Sequence, residues 1–295
     1  MIKINTPNLD NIAEEYANIL LSNWPANKKN TISHKEIREM LTCPADKLVS
    51  KNNDLENQKS REDIKEIFNY QYRLIKKKYN IPNYKGQRLA YWLINKIGIQ
   101  VCPYCNHNYI LTRDSRTPTA REAQLDHFYS QDSYPALALS FYNLIPSCSS
   151  CNRIKGTRKL THNPYISGFE NLPLFKVNNL ITVITRQEIP DITTTPSSTQ
   201  NPLVKNDLDL LYINPLYAQQ TSLAEDLIFK AQGYLGGYYD SVIETFFKDK
   251  SLSMPEIKRM LFGYHLEVED LSKQPLSKFG RDILEQLGIC TPSTD

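Results

Sequence analysis

The chain has 295 residues, with 35 basic side chains against 32 acidic ones and a formal net charge of +3. That length excludes a core too small to stand without staples, and the near-balance of charge excludes a polybasic chain whose composition alone would announce nucleic acid. No apolar run approaches the roughly 18 residues of a membrane span, and the start MIKINTPNLD has no charged-then-apolar leader pattern, so a soluble, cytoplasmic protein with no membrane partner is expected.

Residues 1–98 read as helical. Leu9, Ile12, Tyr16, Ile19 and Leu20 fall on one face, and Ser33 with Glu36 forms a capping-box signature. Ser50 to Ser60 reads as an exposed polar linker. A longer helix then carries Ile64, Ile67, Phe68 and Ile75 and ends in Lys76, Lys77 and Lys78, where three cations suit the negative end of the helix dipole. Ile81-Pro82-Asn83 breaks the chain before a short helix holding Leu89, Trp92, Leu93 and Ile97, which Gly98 closes.

Past residue 168, the β-branched runs between Leu174 and Ile189 predict a short hairpin around Asn178-Asn179, and DITTTPSSTQNP reads as loop. Helices then return. One is expected through Leu223, Leu227, Tyr234, Tyr238, Val242 and Phe246, then a pair over Pro255–Val268 and Leu276–Leu287, the last stopping at Gly288. The fold class is therefore α+β and mainly helical, with helical regions at 1–98 and 169–295 around a central segment at 99–168 that carries the chemistry.

That segment holds two Cys-x-x-Cys pairs, Cys102/Cys105 and Cys148/Cys151, 42 residues apart. Two such turns supply the four thiolates of a tetrahedral zinc site, and a four-cysteine site leaves no coordination position open for substrate, so the zinc is expected to be structural. A redox role for the pairs is weaker, because no βαβ context surrounds them. Cys43 and Cys290 stand alone and read as packing residues.

Between and around the pairs lie Asp126-His127, Asn143 and Asn152. Phosphodiester hydrolysis needs a base for water and hard oxygen ligands for a divalent ion. His127 suits the first task. Asp126 and the Asn152 amide oxygen suit the second, with Mg²⁺ or Mn²⁺ completed by water and phosphate. Asn143 would hydrogen-bond the backbone that carries His127 and fix the ring's direction. Singly each has a plainer explanation: an Asp-His turn at the surface, or an Asn capping a helix. Arg153, Lys155, Arg158 and Lys159 follow the second pair and suit flanking phosphates. His107 and His162 read as structural or surface histidines, and most of the 18 tyrosines as core.

The run LDHFYS followed by LSFYNLIPSCSSCNRIKG resembles the HNH endonucleases of the His-Me finger group in their zinc-knuckle form, over about 55 residues. The resemblance implies a ββα-metal finger with His127 as general base, Asp126 and Asn152 as metal ligands and Asn143 as the orienting residue. Asn152 stands where many members have His. The run also resembles bacterial anti-phage HNH proteins, including the nuclease subunit of Septu-type systems, which implies an ATPase protein partner. Tyr129-Ser130-Gln131-Asp132 departs from the proline and lysine expected after the DHF run. The reading that results is a metal-dependent endonuclease cutting DNA. A zinc-stapled helical binding module and an RNA-cleaving toxin of the same chemistry are the alternatives.

Overall fold

The computed structural model describes residues 1–22, 24, 32–81, 84–112, 123–195, 201–238, 241, 244–245 and 252–291. They form a mixed α/β protein with three two-stranded antiparallel sheets among the described residues. Two compact units are distinguished, one of Ile4–Tyr104 with Asn108–Ser167, the other of Met1–Lys3, Cys105–His107 and Gly168–Asp295.

In the first unit, α1 (Leu9–Ser22) buries Ala13, Tyr16, Ala17 and Leu20. Helix α2 (His34–Leu41) starts on the expected box: Ser33 accepts from the Glu36 backbone and Glu36 accepts in return. The stretch read as a linker is mostly helix α3 (Leu48–Glu56), because Leu48, Asn52 and Leu55 make a buried stripe that a count of polar residues conceals. Helix α4 (Arg61–Ile67) does not run on to the lysines. Buried Arg73 folds back, donating from Nε to the Ile67 carbonyl at 2.8 Å and laying its guanidinium 3.4 Å from the Trp24 ring centroid. A π-helical turn, Gln71–Lys76, follows.

The all-helical expectation also fails just after it. Strands β1 (Lys78–Ile81) and β2 (Tyr84–Arg88) pair antiparallel, so Lys76, Lys77 and Lys78 share no helix end. Tyr79 and Ile81, both buried, carry the period-2 signal of a strand directly after the lysine run. Helix α5 (Leu89–Ile97) ends where Gly98 takes φ 72°, a left-handed cap that glycine adopts without a Cβ clash.

These helices surround the connection between two further strands, β3 (Ala123–His127) and β4 (Leu144–Cys148). The connection contains a 3₁₀ turn, Pro135–Leu139, all five residues of which are buried. Helices α2, α3 and α4 pack on it. Two hydrogen bonds pin it to the helices: Tyr16 Oη of α1 donates to the Leu139 carbonyl at 2.8 Å, and Ser140 Oγ, directly after the turn, donates to the Met40 carbonyl of α2 at 2.6 Å. The strands pair in register from Ala123 opposite Cys148 to His127 opposite Leu144, and α6 (Ser149–Lys155) begins directly after β4.

In the second unit, the expected hairpin around Asn178-Asn179 is replaced by a strand, a helix and a strand. β5 (Phe175–Val177) and β6 (Ile192–Thr194) pair with each other, and α7 (Leu180–Arg186) lies between them in the chain. Ile181-Thr-Val-Ile is β-branched, yet it lies in a helix that buries Val183 and packs on Thr221–Leu235, so tertiary packing overrides local propensity. Helices α8 (Pro202–Leu210), α9 (Ile213–Tyr217), α10 (Thr221–Leu235), α11 (Met254–Phe262) and α12 (Ser277–Gln286) follow. Val242 and Phe246 of the expected long helix lie outside the described residues. The helix expected to reach Val268 stops early at Gly263, φ 81°. No helix among the described residues is long and apolar enough to cross a membrane.

Helix α12 is held by buried polar groups. Asp282 Oδ2 accepts from the backbone N–H of Leu174 at 2.9 Å and of Phe175 at 3.2 Å, while Oδ1 meets Lys278 Nζ at 2.7 Å. Removing one partner of a buried pair strands the other, so Asp282→Ala is expected to cost about 3–5 kcal/mol. Urea unfolding measures this, and a loss under about 1 kcal/mol would contradict it.

Candidate active site

The two cysteine pairs converge. All six cysteines are buried and unbridged, and the sulfurs of Cys102, Cys105, Cys148 and Cys151 lie within 4.8 Å of one another. Thiolates about 2.3 Å from one zinc sit roughly 3.8 Å apart, so the cluster is close to what a tetrahedral ion requires. The first pair lies on a tight turn: Val101 bridges Tyr109, Cys102 N–H donates to the Asn108 carbonyl at 3.0 Å, and Asn106 takes φ 51°, a left-handed conformation that Asn tolerates. The second pair spans the junction of β4 and α6. There Cys148 Sγ caps the helix by accepting from the Cys151 N–H at 3.4 Å.

Further donors point at the sulfurs. His107 N–H reaches Cys105 Sγ and Asn108 Nδ2 reaches Cys148 Sγ, each at 3.4 Å. N–H donors aimed at sulfur favour thiolate, the form that binds metal, so the residues present fit zinc. Cys43 and Cys290 lie elsewhere, and burial raises both thiol pKa values, that of Cys43 to about 11. They are packing residues with poor nucleophilicity.

β3 carries Asp126 and His127 at its end, where the strand's alternation directs neighbouring side chains to opposite faces. Asp126 is buried and His127 half-buried. The His127 ring has its Nε2 3.0 Å from the Ala138 carbonyl. A carbonyl only accepts, so Nε2 bears the proton and Nδ1 is left as the basic nitrogen of the neutral ring. The Tyr70 ring meets the imidazole edge-on at 4.6 Å. Burial pulls the His127 pKa down to about 4, against the opposing pull of the Ala138 carbonyl, so the ring is neutral at neutral pH.

Asn143 is fully buried and works on the loop after His127. Its Oδ1 accepts from the Tyr129 N–H at 2.8 Å, and its Nδ2 donates to the carbonyls of Tyr129 at 3.1 Å and Leu137 at 3.0 Å. The Asn143 carbonyl also accepts from the Phe128 N–H at 2.9 Å. One side chain thus ties the residues after His127 to the 3₁₀ turn whose next carbonyl, that of Ala138, meets the His127 ring.

Asp126, His127 and Asn152 come together. They line one cleft of about 440 Å³, with Tyr70, Gln124 and Thr157 among its other walls. Gln124 and Asp126 are two apart on β3, and Gln124 Oε1 accepts from Asn152 Nδ2 at 2.5 Å, which takes up the amide nitrogen and leaves Oδ1 as the donor end. The Asp126 carboxylate and the Asn152 amide oxygen are hard donors of the kind Mg²⁺ or Mn²⁺ takes, and both residues line the cleft, Asp126 from a buried position.

The four expected phosphate-binding cations divide. Arg153, Arg158 and Lys159 are exposed, and Lys159 Nζ lies 5.4 Å from the Tyr129 ring centroid. Lys155 is fully buried with Nζ 3.1 Å from Asp126 Oδ2, so it does not belong to that surface. Its direction follows from helix geometry, since the last turn of α6 folds against β3, and Gly156 at φ 54°, ψ −129° then turns the chain away. Tyr104 was also missed. It sits inside the first cysteine pair, and its hydroxyl donates to Asp126 Oδ2 at 2.6 Å. Burial raises the Asp126 pKa to about 6, while Lys155 and Tyr104 pull it back down. His162 is half-buried and does not line the cleft, and His107, which belongs to the second unit, has its Nε2 3.1 Å from Gln220 Nε2 of that same unit.

Among known proteins, the Septu protein PtuB of Bacillus thuringiensis is 38% identical to this chain over 50 residues. The match covers 17% of this chain and 20% of that protein. No protein-family profile and no solved structure matches the chain.

Structural zinc supplies folding free energy directly. Cys148→Ser is therefore expected to lose both bound zinc and thermal stability. Metal analysis and thermal unfolding check this, and full zinc with an unchanged Tm would refute the four-cysteine assignment.

Proposed function

We propose that the chain is a metal-dependent endonuclease that hydrolyses phosphodiester bonds in DNA. The observation that carries the reading is one cleft lined by Asp126, His127 and Asn152, with the His127 ring held so that Nδ1 is its basic nitrogen. Asp126 and Asn152 Oδ1 would hold the divalent ion. When bound, Mg²⁺ or Mn²⁺ supplies positive charge that offsets the negative charge growing on the phosphate and leaving oxygen. His127 Nδ1 takes a proton from the attacking water, which a ring kept neutral can do across the physiological range. Asn143 keeps the ring aimed through the loop it ties. Arg153, Arg158 and Lys159, exposed beside the cleft residues in sequence, bind flanking phosphates and position the backbone without reading bases.

The hairpin of β3 and β4 followed directly by α6, with four clustered cysteines at its base, supports an HNH finger of the zinc-knuckle type. The partial likeness to the Septu protein supports a place in a bacterial anti-phage system, as its nuclease component beside an ATPase partner. The same chemistry serves RNA, so substrate comparison belongs in the test.

Supercoiled plasmid, matched single-stranded DNA and matched RNA are incubated with parent and His127→Ala protein in Mg²⁺, Mn²⁺ or chelator. The parent is expected to cut DNA only with metal. The variant is expected to lose at least ~10²-fold in rate, with the fold retained and zinc content unchanged because His127 is not a zinc ligand. A variant cutting at the parent's rate would remove His127 as the base, and a parent cutting only RNA would move the substrate class.

A further inference from the structure

Two buried polar side chains meet at Asp126 without taking part in the reaction described. Tyr104 comes from the first cysteine pair and Lys155 from the last turn of α6. Together they contact both oxygens of the carboxylate, each of which keeps acceptor capacity to spare: Tyr104 Oη is 2.6 Å from Oδ2, and Lys155 Nζ lies 3.1 Å from Oδ2 and 3.3 Å from Oδ1. Lys155 does more. Its Nζ also donates to the His127 backbone carbonyl at 2.7 Å and to the Gly156 carbonyl at 3.5 Å.

An ammonium is strongly hydrated, and a lysine is buried only where acceptors replace its water. Lys155 has no exposed side-chain surface, and its acceptors come from Asp126, His127 and Gly156. A lysine that neutralises a DNA phosphate must reach solvent, and this one does not. Asn152 and Lys155 are three apart on α6, so they share a helix face. The helix thus presents one oxygen donor to the cleft and one cation beneath it.

Tyr104 is held from the other side. It lies between Cys102 and Cys105, so the geometry of the cysteine cluster sets where its hydroxyl points. We propose that Tyr104 and Lys155 are positioning residues, which fix the Asp126 carboxylate from the zinc knuckle and from α6 and fix the strand end that carries His127. The proposal deepens the nuclease reading above and rests on it. Neither side chain touches substrate; both act through Asp126, and Lys155 also through the backbone of His127.

The full-length chain is prepared as parent, Tyr104→Phe, Lys155→Met and, as a phosphate-contact control, Lys159→Gln. Each is assayed for zinc content, for Mn²⁺ affinity by calorimetric titration, for kcat and KM on plasmid, and for DNA affinity across a salt series in chelator. Partners that orient a metal ligand typically carry about 10–100-fold in metal affinity or activity. Tyr104→Phe and Lys155→Met are therefore expected to lose roughly tenfold or more in kcat, with KM, DNA affinity and one zinc per chain unchanged, and Tyr104→Phe to bind Mn²⁺ roughly tenfold more weakly. Lys159→Gln should instead weaken DNA binding and reduce the salt slope by about 0.9.

The proposal is overturned for Lys155 if Lys155→Met follows the Lys159→Gln pattern, which would make it a phosphate contact. It is overturned for both if the variants cut and bind Mn²⁺ as the parent does. Should Lys155→Met fail to fold, Tyr104→Phe, which keeps its ring in place, carries the test. A parent that neither binds Mn²⁺ nor cuts DNA fails at an earlier point, because it removes the nuclease reading itself.

Discussion

A two-stranded hairpin five residues long cannot hold its own shape in water, and that constraint governs what is built around β3 and β4. The catalytic candidates sit on the end of β3 and on the helix after β4, so every error in the hairpin becomes an error in the site. Three braces answer it. The cysteine cluster grips Cys148 at the far end of the ladder from His127 and Cys151 on α6. Helices α2, α3 and α4 pack on the 3₁₀ turn in the connection between the strands. Asn143 then ties that turn to the residues after His127 through its buried amide. The N-terminal helices therefore serve the site at a distance, because the carbonyl that orients His127 belongs to the turn they enclose.

The electrostatics follow from the same burial. Removing Asp126 and His127 from water disfavours charge on both, raising the acid to about 6 and lowering the base to about 4. For His127 this keeps the ring neutral and able to accept a proton, at the cost of a lower basicity. For Asp126 it opposes the anionic form that a metal needs, and Lys155 with Tyr104 works against that pressure. A buried lysine under the carboxylate thus looks costly alone and sensible in company.

Much of the site was legible because its residues are clustered in the chain and chemically specific. Two Cys-x-x-Cys turns admit few uses, and the converging sulfurs follow from them. Asp126, His127 and Asn152 line one cleft. What was hidden depends on direction rather than residue type. Lys155 looks like its neighbours Arg153 and Arg158, and only the rotation of α6 against β3 turns it inward. Tyr104 reads as one of many core tyrosines, and its hydroxyl gains meaning only from Asp126, 22 residues on. Elsewhere the misreadings came from weighing composition over stripe. Leu48, Asn52 and Leu55 make α3 out of a polar run, Tyr79 and Ile81 make a strand beside three lysines, and Val183 anchors a helix in a β-branched stretch.

The central claim is that this cleft gathers a hard-oxygen metal site beside a neutral histidine, separate from a sulfur site that only holds structure. Crystals of the zinc-loaded protein soaked in Mn²⁺, with anomalous scattering recorded at the zinc and manganese edges, test it directly. The account predicts zinc among Cys102, Cys105, Cys148 and Cys151, and manganese between Asp126 and Asn152. Manganese absent from the cleft at saturating concentration, or bound only at the cysteines, would contradict it.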